Sequence, residues 1–283
     1  MGPVGGMPLP PACMVAMAGG DARQAGEELG PWLRARDPDR FLCTLFAPPD
    51  RRWALFALYG FNHELARARE VAAEPTLALI RLAWWREVLA GAEPRHVVAT
   101  PLRAALAAGL LDAGALEALI LAREIETEPA IETLARWRAY LLASAGGLAA
   151  AAGGLLGADG AARARLALLG AAYGAAGVLR SVPAQARAGR CLLPADLLAA
   201  HGLTPEAVVA APASPRLDPV RAALAAEGRR WLETAGPTPL PRAWRAAALP
   251  AVLARRDLAR PAAPARPRGL GARLAVLLAA LRP

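Results

Sequence analysis

Helix starts are marked with unusual clarity along this chain by a capping or acidic residue placed directly before a proline. The first residue of such a pair accepts hydrogen bonds from free backbone amides, and a proline at the first helical position gives up no hydrogen bond. Between the pairs, apolar residues recur at intervals of three and four, as at Leu77, Ile80, Trp84 and Val88. The pattern predicts roughly ten helices joined by short loops. The pairs are Asp37-Pro38, Glu74-Pro75, Thr100-Pro101, Glu128-Pro129, Thr204-Pro205 and Asp218-Pro219.

Residues that favour β-strands are scarce, and this decides the fold class. Only four isoleucines occur among the 283 residues, aromatic residues make up 5%, and Ala and Leu dominate. The fold class is therefore predicted to be all-α. Because there is neither an internal repeat nor an obvious linker, residues 21–283 are predicted to form a single helical domain. The Gly-, Pro- and Met-rich residues 1–20 are predicted to be a disordered N-terminal extension.

One stretch, Ala139 to Ala158, carries no charge over 20 residues, which is the length of a membrane span. It is rich in Gly and Ala, however, and it holds few large side chains, so its insertion into a bilayer would be weak. We expect a central core helix whose small residues admit close neighbours or line a cavity.

The charge balance favours anionic partners. The formal net charge is +9, the isoelectric point is near 10.9, and every basic residue is Arg. Such a surface suits acidic phospholipid or a phosphorylated ligand. Nucleic acid is not expected as a partner, because no nucleic-acid-binding motif occurs and the arginines are scattered.

Three cysteines without pairing or metal spacing, and a start that lacks the positive region of a signal peptide, predict a cytoplasmic location.

Two predicted helices each gather polar side chains on one face. In the first, from Arg51 to about Val71, the shared face holds Tyr59, His63, Ala66 and Glu70. In the second, from about Ala161 to Val182, the face holds Tyr173, Gly177, Ser181 and Gln185. Pro183 lacks an amide and crowds the preceding turn, so the second helix is predicted to end or bend there.

The same residues also have ordinary structural explanations. Tyr59, His63 and Tyr173 fit partly buried residues with hydrogen-bond partners, and Arg67 can pair with Glu64 or Glu70 on a solvated face. Arg180, Arg187 and Arg190 flank the second site; they could hold an anion without metal, or simply be surface charge.

The two helices carry motifs that resemble those of the squalene/phytoene synthase family. The resemblance rests on residues 59–70 (YGFNHELARARE) and 179–194 (LRSVPAQARAGRCLLP), with further matches at 37–58, 74–89 and 189–197. It implies an isoprenoid-synthase-like helical bundle around a central cavity, and head-to-head joining of prenyl diphosphates held by Mg²⁺ on Asp-rich motifs.

At the positions where the resemblance implies metal-binding acids, this chain is mostly not acidic. The first motif falls on Ala66, Arg67 and Glu70. The second falls on Arg180, Ser181, Ala184 and Gln185. Because Mg²⁺ requires several oxygen ligands, with carboxylates to balance its charge, we expect neither a metal nor any other cofactor, and we assign no catalytic residue.

The sequence leaves three functions open. The version of the motif with Asn62, His63 and Arg67 is similar to a degenerate branch that includes an assembly factor for respiratory complex I. That likeness implies a non-catalytic scaffold, peripheral to the inner membrane, with respiratory complex subunits as partners. The alternatives are an active prenyltransferase that uses Mg²⁺, and a protein that binds a prenyl or lipid phosphate without turnover.

The C-terminal segment combines basic and apolar patterns. Six arginines between 255 and 273 accompany only Asp257, and an apolar stripe follows on a short helix. The pattern predicts attraction to an anionic membrane surface. Packing of this helix onto the bundle as its last element is the alternative, and both can hold together. The stripe consists of Leu270, Leu274, Leu277, Leu278 and Leu281.

Overall fold

The computed structural model describes residues 24, 26–72, 74–237, 241–263 and 267–281. Helix makes up 76% of the structure, and the described residues contain no β-strand, which confirms the all-α fold class. The extension expected over residues 1–20 lies outside the described residues, and the single domain over 21–283 stays a prediction. The helices are α1 (residues 26–36), α2 (Pro38–Thr44), α3 (Pro49–Glu70), α4 (Pro75–Leu89), α5 (Ala99–Ala107), α6 (Ala113–Glu124), α7 (Leu134–Leu141), α8 (Gly147–Leu155), α9 (Gly160–Arg187), α10 (Ala195–Ala200), α11 (Pro205–Ala210), α12 (Asp218–Ala235), α13 (Arg245–Ala248), α14 (Pro250–Leu258) and α15 (Leu270–Leu281).

The centre of the bundle is α9, which packs against α8, α12 and α14. Glycine permits the closest of these approaches. A Cβ atom at Gly170 would lie 2.4 Å from the carbonyl oxygen of Ala145 and 2.6 Å from the Cβ of Ala149. Within the described residues, α9 alone is long and apolar enough to cross a membrane, and 56% of its most apolar window is buried inside the fold. It serves here as a core helix.

The uncharged run from Ala139 to Ala158 packs on α9 as expected of a core helix, and its helical part is not α-helical throughout. It contains the end of α7, one π-helical turn over Leu142–Gly146, and α8. Ser144 sits in this turn and donates a hydrogen bond to the carbonyl oxygen of Tyr140 at 2.6 Å. The turn packs against α9, and π-helix occurs mostly as single turns of this kind inside α-helices.

Five of the six predicted helix starts lie within two residues of an observed start, although α5 and α12 begin before the predicted proline, at Ala99 and Asp218; Glu128-Pro129 is the exception. Asp37 caps α2 by accepting a hydrogen bond from the amide of Arg40, and Thr204 caps α11. Glu128 instead closes a short 3₁₀ turn in extended backbone, and the next helix is capped by Thr133. A proline is compatible with a helix start, but it does not by itself supply the turn that follows.

Two helices add detail to the expectations: the second motif helix does not end at Pro183, and the apolar row noted in α4 is only partly the buried one. The second motif helix continues through Pro183 to Arg187, because the proline lies in the last turns and burial of Val182 and Ala186 holds that end against the core. In α4, the residues that enter the core are Ala78, Leu82, Trp85 and Val88. Leu77 and Ile80 face outward instead, since both faces of this helix are apolar and periodicity alone does not choose between them.

Candidate functional site

A cavity of about 330 Å³ lies between α2, α3, α7 and α9, and it brings the two motif helices face to face. The C-terminal segment closes one side of it through Asp257 and Arg268. The polar and charged residues that line the cavity are Asp37, Asp39, Arg40, Asn62, His63, Glu70, Arg123, Glu126, Tyr140, Ser144, Tyr173, Arg180, Ser181, Gln185, Asp257 and Arg268.

Seven of the twelve residues singled out from the sequence line this cavity, and five do not. Those that line it are His63, Ala66, Glu70, Tyr173, Arg180, Ser181 and Gln185.

The other five lie outside the lining, for different reasons. Tyr59 is buried behind it, with its ring 5.7 Å from the guanidinium carbon of Arg40. Ala184 and Arg187 are exposed on the outer side of α9. Arg67 and Arg190 are described below, because each forms an ion pair.

Arg67 does not point at the cavity. Its Nη1 lies 3.7 Å from Oε1 of Glu64, one turn earlier on α3, and its side chain is partly exposed. Arg67 is therefore not part of the cavity lining. The substitution that matters on this helix is Ala66, which lines the cavity with a methyl group and offers no metal ligand.

One ion-pair network closes the cavity on the side of the C-terminal segment. Arg268 donates two hydrogen bonds to Asp257, at 2.7 and 2.8 Å, and a third from Nε to Oδ2 of Asp39 at 3.0 Å. Tyr173 donates to the same Asp39 oxygen at 3.1 Å, and Arg180 lies 3.5 Å from Asp257. Bidentate pairing of this kind fixes geometry as well as charge.

A second network is built around Glu126, which is almost fully buried. Arg123 donates from Nη1 to Glu126 Oε1 at 2.6 Å and from Nη2 to Asn62 Oδ1 at 2.9 Å. The hydroxyl of Tyr140 donates to Glu126 Oε1 at 2.5 Å. Arg190, itself buried, lies 3.5 Å from Glu126 Oε2. Oε1 of the carboxylate thus has one charged and one neutral partner, and Oε2 has a charged partner.

The Asp-Pro-Asp sequence that begins α2 supplies a third group. Asp37 caps the helix and also accepts a hydrogen bond from Nη1 of Arg40 at 2.7 Å. The guanidinium carbon of Arg40 lies 4.9 Å from the ring centre of Tyr173. One short stretch therefore places two carboxylates and a guanidinium at the cavity, with Asp39 belonging to the network of Arg268.

Burial shifts the two titratable groups that remain from the first motif. The pKa of His63 is lowered because its ring is partly withdrawn from water, and its Nε2 has no hydrogen-bond partner in the described protein. The pKa of Glu70 is raised by partial burial and by the nearby charge of Glu126. Burial also lowers the pKa of Arg190, and this effect is larger than the attraction of the Glu126 carboxylate, which acts in the opposite direction.

The donor set of the cavity does not fit Mg²⁺. Four of its five carboxylates, Asp37, Asp39, Glu126 and Asp257, form ion pairs with arginine. Only Glu70 has no ion pair with a described residue. Among the described residues, no group of three His, Cys, Asp or Glu side chains could hold a metal ion. Since Mg²⁺ needs near-octahedral oxygen coordination with carboxylates available to it, arginine occupies the charge-balancing role here.

Most of the residues in these networks are ones that the sequence pattern does not identify as site residues. Asn62 adjoins the motif, and Arg123 and Glu126 stand three apart, but neither feature distinguishes them from surface residues. Asp37 was noticed only as a helix cap. The missed residues are Asp37, Asp39, Arg40, Asn62, Arg123, Glu126, Tyr140, Asp257 and Arg268.

Comparison with protein families gives one match that covers most of the chain. A model of the family described as squalene/phytoene synthase matches residues 33–275.

Two solved structures are similar in fold. The squalene synthase HpnC from Alicyclobacillus acidocaldarius aligns with a TM-score of 0.66 at 23% identity, over 86% of this chain and 96% of that protein. A dehydrosqualene synthase in complex with ligand aligns with a TM-score of 0.68 at 15% identity, over 84% and 86%. At these identities the likeness establishes the fold alone.

Curated relatives carry a different description. The Drosophila melanogaster homolog of NADH dehydrogenase (ubiquinone) complex I, assembly factor 6 is 30% identical over 193 residues, which is 61% of this chain and 55% of the fly protein. The human protein of that description is 39% identical over 57 residues, which is 20% of this chain and 17% of the human protein. The chain thus matches about half, or less, of the length of these relatives.

Proposed function

The chain belongs to the squalene/phytoene synthase family, and from that premise we propose that it is a non-catalytic member that acts as a scaffold in respiratory-complex assembly. The observation that carries this proposal is the pairing of cavity carboxylates with arginine. Arg268 engages Asp39 and Asp257, while Arg123 engages Glu126. The family resemblance implies acids that hold Mg²⁺ and a diphosphate. In this chain, arginines of the protein itself balance the charge of the cavity carboxylates.

Residues at the two motif positions support the same reading. Ala66 has no ligand atom, and the hydroxyl of Ser181 donates to the carbonyl oxygen of Val178 at 3.0 Å within its own helix. Gln185 is neutral. Family membership alone would favour the alternative, an active head-to-head prenyltransferase. The cavity of this chain lacks the oxygen ligands that Mg²⁺ requires for that reaction.

The likeness to complex I assembly factor 6 supports the assembly role. It extends over 193 residues, which is 61% of this chain. Respiratory complex subunits are the partners that this role implies, and the proposed location is the cytoplasmic side of the inner membrane, peripheral to it.

A second candidate function is the binding of a prenyl or lipid phosphate without turnover. It is favoured by Arg190, whose two buried Nη atoms have no hydrogen-bond partner within the described protein, although Nη2 lies in an ion pair with Glu126. Mass spectrometry of lipids that co-purify with the protein tests this candidate. A phosphorylated isoprenoid in stoichiometric amount would favour it over the scaffold.

The scaffold function is tested by complementation. Cells that lack the gene are expected to contain less assembled complex I on native gels, and the wild-type gene is expected to restore it. The double variant E70Q/S181A removes the one carboxylate and the one hydroxyl at the motif positions and should restore assembly fully. Unchanged complex I in the deletion strain, or failure of E70Q/S181A despite normal protein levels, would contradict the proposal.

A further inference from the structure

The last helix presents its large apolar side chains to solvent. The five leucines of α15 are 40–76% exposed. At 100° per residue they fall within an arc of roughly 100° on one side of the helix. An exposed apolar arc of this kind marks an interaction surface more often than a scatter of single leucines does. The five are Leu270, Leu274, Leu277, Leu278 and Leu281.

The opposite side of α15 attaches the helix to the bundle through small residues. Val276 and Ala280 are buried, and they form a cluster with Cys43, Leu249 and Leu253. A helix that stabilises a core usually turns its largest apolar residues inward. In α15 the small residues face the core and the leucines face outward, so the rest of the described fold does not cover the leucine face.

A basic groove adjoins the first turn of α15. It has a volume of about 370 Å³ and runs between α9, α14 and the segment that leads into α15. Its guanidinium groups belong to Arg180, Arg256, Arg260 and Arg268, and its one acidic residue is Asp257. Nη2 of Arg256 lies 3.7 Å from the position of a Cβ atom at Gly271, at the start of α15.

The charge of this groove is not balanced within the described protein. Asp257 already pairs with Arg268 and Arg180. Arg256 and Arg260 are exposed, lie one turn apart, and form no ion pair with a described residue. Helix α15 itself contains no acid, and Arg273 on its surface adds another positive charge.

We propose that the leucine face of α15 and the arginines beside it form a docking surface for a bilayer that contains anionic phospholipid. The leucines enter the boundary between headgroups and acyl chains, while Arg256, Arg260 and Arg273 lie at the headgroup phosphates. With 12 residues, α15 is too short to span a bilayer and lies along its surface. This inference rests on the peripheral membrane location in the proposed function, and it adds the surface, the orientation and the lipid class.

Charge complementarity favours a bilayer over a protein partner for this surface. The face is aliphatic and has no Trp or Tyr, the residues that usually anchor protein interfaces. The outer face of α4 offers a contrast. There Leu77 and Ile80 are 48% and 59% exposed, but the helix also carries one exposed charge of each sign, Arg81 and Glu87. That face lacks the excess of positive charge found near α15.

Co-sedimentation with vesicles tests the proposal, using full-length protein at low and high salt. The vesicles contain phosphatidylcholine alone or with 30 mol% phosphatidylglycerol. The variant L274Q/L278Q is compared with L77Q/I80Q, which changes an equally exposed pair on α4. Since each buried leucine contributes about 1.5–3 kcal/mol, the α15 pair should lower partitioning by more than 10-fold, and the α4 pair should leave it unchanged.

The charge contribution is tested with R256Q/R260Q against R81Q/R34Q, which removes two exposed arginines elsewhere. At about 1 kcal/mol for each arginine near an anionic surface, the first pair should lower binding to anionic vesicles about 30-fold. Added salt should weaken wild-type binding in the same direction. All substituted residues are exposed, so equal melting temperatures verify that the fold is kept.

Several outcomes would overturn the inference. If L274Q/L278Q binds as wild type does, the protein uses another surface and its peripheral location stands. If neutral and anionic vesicles bind equally, the role of the arginines is wrong. If wild type binds neither, the surface is not for lipid, and α15 then serves a protein. The assembly role is decided separately by complementation, so its failure cannot be confused with any of these results.

Discussion

Arg268 and Asp257 form a bidentate ion pair, with Nη1 to Oδ1 at 2.7 Å and Nη2 to Oδ2 at 2.8 Å. The third donor of the same guanidinium reaches Asp39, which lies 229 positions earlier in the chain. One side chain thus joins α14 to α2 across the cavity. The interaction supplies, from within the protein, the positive charge that a metal ion would bring to these two carboxylates.

Replacing Arg268 by Met should lower the free energy of unfolding substantially. The three side chains are largely buried, at 14–17% exposure, and the change leaves Asp39 without its arginine and Asp257 with only Arg180, at 3.5 Å. Breaking a buried pair from one side costs about 3–5 kcal/mol, and we expect a loss of about 3 kcal/mol by urea denaturation. The exposed Arg81→Met serves as the control. A loss below about 1 kcal/mol would show that the pair contributes little to the fold.

Glycine substitutions test the close packing of α9 on the π-turn. G170A places a methyl group 2.4 Å from the carbonyl oxygen of Ala145. The clash should lower the free energy of unfolding by about 1–3 kcal/mol. G177A lies on the same helix, and no atom lies within 4 Å of its new Cβ. It should be neutral or stabilise by about 0.5–1 kcal/mol, because Ala is the better helix former. Equal effects of the two changes on the melting temperature would contradict the packing described.

His63 should make stability depend on pH. Burial lowers its pKa in the folded protein, so the unfolded chain binds this proton more readily. The stability contributed by neutral His63 is therefore fully present above the unfolded value of about 6.5 and is lost as the pH falls through the lowered folded value. Urea denaturation of H63Q between pH 5 and 8 should show a shallower decline than wild type. The exposed-residue control H201Q should follow wild type, and an unchanged slope in H63Q would contradict the assignment.

Arg67→Asp should not create a metal site. Arg67 pairs with Glu64 on the outer side of α3 and does not line the cavity, so the new carboxylate would face away from it. We expect a loss of only a few tenths of a kcal/mol in unfolding free energy, and no change of melting temperature on addition of Mg²⁺. Arg81→Asp matches the change in charge at another exposed site. Stabilisation of R67D by Mg²⁺ that EDTA reverses would refute the geometry.

Local patterns in the sequence were sufficient for the elements that carry the site. The first motif helix, predicted from Arg51 to about Val71, is observed as Pro49–Glu70, because capping and periodicity act over a few residues. The networks could not be predicted in this way. Arg268 and Asp39, or Arg123 and Asn62, meet only through the tertiary fold.

The C-terminal helix shows a second limit of sequence patterns. Its periodicity identified the leucine stripe correctly, but a stripe does not state whether the fold will cover it. The small residues Val276 and Ala280 form an equally regular row, and that row is the one that meets Leu249 and Leu253. Which row is buried depends on the space left by the neighbouring helices, and this is a property of the packed bundle.

Diphosphate release in the presence of Mg²⁺ tests the loss of the metal site most directly. Purified protein is incubated with farnesyl or geranylgeranyl diphosphate, and free diphosphate and condensed product are measured against a heat-killed control. Because Ala66, Ser181 and Gln185 supply no carboxylate and arginine engages the acids around them, we predict no turnover above that control. Turnover that requires Mg²⁺ and is abolished by EDTA would contradict the account.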